Sequence, residues 1–218
     1  MRLLLISDLH GQHEVLGKIL ERAGPVDAAL LAGDITDFGS PGDAEKMVRI
    51  ATQAASSVFA VAGNCDSPEI DRRLAELGVG LHGRGLVFRS MRVQGLSAMP
   101  PWKHKMYQFT EEELAGALAA GWSDIEHAAG HHVVLSHAPP RGMKALDRTH
   151  FFLHAGSTAL RQFLEQTRPL LVVCGHIHEG RGVEQVGNTT VVNCGHGLRG
   201  YYAVAELDRS VRVELARL

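Results

Sequence analysis

The chain has 218 residues, 45% of them hydrophobic and 21% charged, with a formal net charge of -2. That composition suits a globular protein with a sizeable core, and it points away from a basic nucleic-acid binder or an acidic solvating arm. Thirteen histidines are the one excess, and they direct attention to metal chemistry.

Taken in order, the first half alternates apolar runs with amphipathic stretches. Leu3 to Ile6 reads as a buried strand ending at Ser7 and Asp8. Val15, Leu16, Ile19, Leu20 and Ala23 share a helical face that Gly24-Pro25 terminates. The pattern predicts a second strand over Ala28 to Ala32, a helix over Asp43 to Ala55, a strand over Val58 to Ala62, and a helix after Ser67-Pro68. This order argues for a parallel sheet covered by helices.

Further on, Leu86 to Phe88 and Val93 to Leu96 read as neighbouring strands. Thr110 with Glu113 has the spacing of a capping box and opens a helix. Val133 to Leu135 and Leu170 to Val173 are buried strands either side of a helix from Ser157 to Thr167. The tail from Gly182 to Leu215 reads as short strands, with a hairpin turn at Gly187-Asn188. The expected architecture is α/β, one domain over residues 1–218, with two sheets and outer helices.

Cys65, Cys174 and Cys194 are too few and scattered for a disulfide framework, which suggests a reducing compartment. The N-terminal apolar run is too short for a signal-peptide core or a membrane span. The expectation is a cytoplasmic protein.

The residues just beyond the apolar runs carry the chemistry. Asp8 and His10 follow the first strand, Gly33-Asp34 the second and Gly63-Asn64 the third; His137 follows Val133 to Leu135, and His176 and His178 follow Leu170 to Val173. In α/β sheets this carboxyl-end rim is where sites form. Two carboxylates, one amide oxygen and four imidazoles, with no thiolate, suit manganese, iron, zinc, nickel or cobalt. Seven donors are too many for one ion and suit two that share a carboxylate.

In that order, Asp8-Leu9-His10, Gly33-Asp34, Gly63-Asn64, Ser136-His137 and Gly175-His176-Ile177-His178 resemble the signature of the calcineurin-like metallophosphoesterases. The resemblance runs from residue 8 to 178. It implies two packed mixed sheets flanked by helices, a four-layer sandwich. It also implies that Asp8, His10 and His178 hold one divalent transition-metal ion, manganese foremost, that Asn64, His137 and His176 hold another, and that Asp34 bridges them. Charge accounting agrees: two carboxylates and a bridging hydroxide leave the pair of ions one net positive charge, which favours a phosphate anion.

The chain departs from many members by having Gly63-Asn64-Cys65-Asp66, with cysteine in place of histidine. It is similar in this to a branch of small bacterial and archaeal phosphodiesterases. Cys65 is read either as a weak proton donor to the leaving group or as a small space-filling residue. Asp66 is read as orienting its loop. His150 and His154 fall on a loop resembling substrate-facing loops of the family, and His154 either contacts phosphate, protonates the leaving group or holds backbone. Trp102, Lys103 and Lys105 form either a cationic lip or a solvated surface. Gly78 to Gly83 matches GxGxxG but follows a helix, so a dinucleotide site is not expected. His82, His104, His127, His131 and His132 match no motif, and His196 is left outside the ligand set.

The functional expectation is a two-metal phosphodiesterase in which a bridging hydroxide attacks phosphorus. Its catalytic residues would be Asn64, Cys65, Asp66, His137 and His154. A phosphomonoesterase or protein phosphatase is the alternative, and a non-catalytic scaffold like the family's retromer subunit is a third. The expected partner is a small phosphate ester, without membrane or nucleic acid; a homo-oligomer is compatible with the sequence.

Overall fold

A computed structural model describes residues 1–102, 105–151 and 153–218. The chain runs β1 (Arg2–Ile6), α1 (His13–Ala23), β2 (Ala28–Ala32), α2 (Pro41–Thr52), β3 (Val58–Val61), α3 (Pro68–Glu76), β4 (Gly85–Phe88) and β5 (Met91–Leu96). It continues with α4 (Glu111–Ser123), β6 (His131–Ser136), α5 (Thr158–Thr167), β7 (Leu171–Cys174), β8 (Gly182–Val186), β9 (Thr189–Asn193), β10 (Tyr201–Leu207) and β11 (Val211–Arg217).

Two mixed sheets result. One has the order β11-β10-β1-β2-β3 and the other β4-β5-β6-β7-β9-β8. Within them β1-β2-β3 and β5-β6-β7-β9 run parallel; β10 pairs antiparallel with both β1 and β11, β4 with β5, and β8 with β9. The sheets stack face to face. Leu3, Leu5, Leu30, Val133, Leu135 and Val173 meet in the core between them. Leu4, Ile6 and Leu31 turn the other way, onto Leu16 and Ile19 of α1 and Met47 of α2. Leu118 of α4 and Leu160 of α5 cover the second sheet at Val134 and Val172. The central strands are therefore buried on both faces, which is why they read as continuous apolar runs rather than alternating ones. Each such leucine contributes about 1.5–3 kcal/mol by leaving water.

The four layers are α1–α3, first sheet, second sheet, α4–α5. This is the expected four-layer sandwich: each sheet carries helices on one face and the other sheet on its second face. The helix expected over Asp43 to Ala55 begins at Pro41, because Ser40 and Asp43 form a reciprocal capping box, and it ends at Thr52. Thr110 and Glu113 cap α4 in the same way. Among the described residues, no helix is long and apolar enough to cross a membrane.

Candidate metal centre

β1, β2, β3, β6 and β7 all point their carboxyl ends to one rim, and every predicted ligand lies on the loops that leave them. The loops are tied together by backbone. Asp8 N–H donates to Gly33 O at 3.0 Å, His10 N–H to Asp34 O at 2.9 Å, and Gly175 N–H to His137 O at 3.0 Å. Two glycines allow the close approach. A Cβ on Gly63 would lie 2.1 Å from Asp34 N, and one on Gly175 would lie 2.3 Å from Asp8 Oδ2. Four of the expected ligands, Asp8, His10, Asp34 and His176, hold left-handed backbone, with φ of 54°, 46°, 47° and 66°. Such conformations cost free energy and persist where surrounding structure over-determines them, and they concentrate at functional sites.

Asp34 occupies the middle. Its Oδ2 is 3.8 Å from His10 Nε2, and its Oδ1 is 3.5 Å from His137 Nε2. Oδ1 also accepts from Cys65 N–H at 2.7 Å. On one side of Asp34, His178 Nε2 lies 3.1 Å from Asp8 Oδ1. On the other, His137 Nε2 lies 2.9 Å from Asn64 Oδ1. Donor atoms of Asp8, Asp34 and His137 fall within 4.8 Å of one another, as do those of His10, Asp34 and Cys65. His176 joins neither group; its ring centre is 5.1 Å from that of His137.

The electrostatics fit a cation pair. His137 Nδ1 lies 2.9 Å from Ala32 O, so it must donate there. In the metal-free chain a proton on His137 Nε2 donates to the amide oxygen of Asn64 at 2.9 Å; a divalent cation would take that proton's place, with the ring nitrogen and the amide oxygen as its ligands. His176 Nε2 is buried with no hydrogen-bond partner, a cost that coordination would remove. Burial and the neighbouring His137 pull the His176 pKa down to about 3, leaving the neutral imidazole that binds metals. Burial pushes the Asp8 carboxyl up, but its hydrogen bond with His178 and the charge of His137 hold it below the usual range.

Residues 1–180 match the calcineurin-like phosphoesterase family. The chain belongs to that family. Among relatives of this phosphoesterase, protein MJ1162 of Methanocaldococcus jannaschii is 29% identical over 202 residues, covering 88% of this chain and 87% of that one. A UPF0046 protein of Caenorhabditis elegans is 28% identical over 229 residues, covering 93% and 78%. The crystal structure of TT1561 of Thermus thermophilus superposes with a TM-score of 0.78 at 22% identity, covering 99% and 98%, and shows a shared fold.

The remaining expected residues of this phosphoesterase fall in different places. Asp66, 5% exposed, accepts from Ile35 N–H, Thr36 N–H, Thr36 Oγ1 and Gly63 N–H at 2.8–3.0 Å and so joins the loops after β2 and β3. Burial and the Asp34 charge push its pKa up to about 6. Burial, with Asp34 next, raises the Cys65 thiol and keeps it neutral. His154 is not among the residues lining the cavity at the rim; its Nδ1 donates to Asp147 at 2.9 Å. That pair and the contact from Arg141 to His154 O close the loop spanning residues 141–157.

The cavity, about 310 Å³, opens over His10, Asp34, Asn64, Cys65, His176 and His178. Its remaining wall joins apolar Met99, Trp102, Met106, Phe151 and Ile177 with polar Thr149, His150 and Glu179. Of the expected lip, Trp102 lines this wall, Lys105 is exposed, and Lys103 lies outside the described residues, as does His104. Sequence reasoning missed the methionines and Phe151, because isolated apolar residues in loops carry no periodic signal. His150 lines the cavity. His132 is buried between Trp122 and Phe163, remote in kind from the rim chemistry.

Proposed function

We propose that the protein is a two-cation phosphodiesterase acting on small phosphate esters. The observation that carries this reading is Asp34, whose two carboxylate oxygens face His10 on one side and His137 on the other. Asp8, His10 and His178 would hold one divalent cation, and Asn64, His137 and His176 the second, with Asp34 shared. Such a pair, when bound, polarises the phosphate, activates water and neutralises charge on the leaving oxygen.

The chain's own residues supply position and selectivity. Ala32 O orients the His137 ring through Nδ1, and Asp66 fixes the loops that carry Asp34 and Asn64. The wall of Met99, Trp102, Met106 and Phe151 supports a substrate with a second, flat apolar substituent, which favours a diester over a small monoester. The raised Cys65 thiol makes a poor proton donor, which favours leaving groups needing little proton assistance. We assign His154 to holding its loop through Asp147 rather than to substrate.

Protein stripped of metal and refilled with manganese or nickel should hydrolyse an aryl phosphodiester, and faster than the matching aryl monoester. Stripping should lower the rate by roughly 10³-fold or more, since it removes both electrophile and activated water. Steady-state rates before and after chelation decide the matter. Turnover that survives complete chelation would sink the mechanism.

A further inference from the structure

We propose that His196 is a third imidazole donor at the cation position formed by Asp8, His10 and His178, making that position richer in nitrogen than its neighbour. The inference rests on the two-cation reading and extends it to a residue outside the expected ligand set. His10, His178 and His196 each offer a ring nitrogen, and these atoms all lie within 4.8 Å of one another. Nitrogens about 2.1 Å from a common ion stand about 3.0 Å apart when adjacent and about 4.2 Å apart when opposite. In the metal-free chain the His196 ring lies nearly parallel over His178 with centres 3.9 Å apart and meets His10 edge-on at 5.4 Å, so binding one ion through both requires one of the two stacked rings to turn about its side-chain bonds.

The loop that carries His196 is built to hold it there. Gly197 N–H donates to Ser7 O and Leu198 N–H to Asp8 O, both at 2.9 Å, while Ser7 Oγ donates to Gly195 O at 2.9 Å. Three hydrogen bonds thus fasten this loop to the end of β1 that presents Asp8. The fully buried Asn193 side chain couples it to the other ligand loop: its amide donates to Gly175 O and Ile177 O, and its oxygen accepts from Gly195 N–H. The backbone that carries His196 is therefore tied to both segments that supply this cation position, and its ring can turn upon it.

With three imidazoles beside Asp8 and Asp34, this position takes a borderline transition-metal ion in preference to magnesium or calcium. The position at Asn64, His137 and His176 offers two imidazoles and is less selective. The two positions of one molecule thus differ in metal preference.

Cobalt(II) titration of metal-free protein tests the assignment, read by calorimetry and by visible absorption of the bound ion. The parent protein should bind two ions. His196→Phe retains a ring over His178 but offers no donor, and His196→Ala removes both. Both variants should lose ten- to a hundredfold in affinity at one position only, with a change in that ion's absorption band. If His196→Phe binds cobalt as the parent does, the ring acts by packing and the proposal fails while the two-cation reading stands. A parent protein that binds no pair of ions overturns both.

Discussion

Asp34→Asn should abolish phosphodiester hydrolysis while leaving the metal-free fold intact. Asparagine has the same shape and can still accept the 2.7 Å hydrogen bond from Cys65 N–H. What it lacks is the second anionic oxygen with which Asp34 faces His10 and His137 at once. Without that shared charge the two cations repel each other, so occupancy should fall from two to one or none in a manganese titration. Turnover should fall on the order of 10⁴-fold, about 5.4 kcal/mol of transition-state stabilisation at 1.36 kcal/mol per tenfold. The metal-free variant should melt no lower than the parent, because Asp8, Asp34 and Asp66 sit close together and one negative charge has gone. A variant that binds two ions and retains a tenth of parental activity would remove Asp34 from its central place.

Asp66→Ala should have the largest effect on stability. It leaves the N–H groups of Ile35, Thr36 and Gly63 without their acceptor inside the protein. At about 1–3 kcal/mol for each unsatisfied buried donor, partly relieved by entering water, the loss should be roughly 4 kcal/mol. The loops carrying Asp34 and Asn64 would loosen with it, so tight metal binding should be lost. Urea unfolding followed by circular dichroism measures the first effect and calorimetric titration the second; a change under 1 kcal/mol would mean that these contacts are dispensable.

Asp66 also sets a pH dependence with a definite sign. Its carboxyl titrates near 6 in the folded chain against 3.8 for an ordinary aspartate. Between those values the native state holds more protons than the unfolded state, so stability in the metal-free protein is highest below pH 4 as far as Asp66 is concerned, and is lost as pH rises through about 6. Asp8, held low, acts oppositely and at more acid pH, where its stabilisation disappears on protonation. Since the Asp34 charge is one cause of the raised Asp66 pKa, Asp34→Asn should flatten the fall between pH 4 and 6.

Much of the fold is legible in the residues alone. Leu3 to Ile6, Ala28 to Ala32 and Val58 to Val61 are apolar without alternation because both of their faces are covered, and the capping residues Ser67, Thr110 and Ser157 mark helix starts by chemistry that is local. The candidate donors are legible for a similar reason: each follows its strand directly, so its place on the rim depends only on strand direction.

The tertiary structure alone decided what depends on long-range pairing. Nothing in Tyr201 to Arg217 states that β10 returns beside β1 rather than beside β9, yet that return carries the loop of His196 onto Asp8. The left-handed backbone of Asp8, His10, Asp34 and His176 is likewise imposed by hydrogen bonds between loops distant in sequence. So is the meeting of Met99, Trp102 and Phe151 around one cavity. Local periodicity specifies which segments become strands and helices. Which strand lies next to which, and therefore which loop residues meet, is settled by the burial of whole faces, a property no single segment possesses.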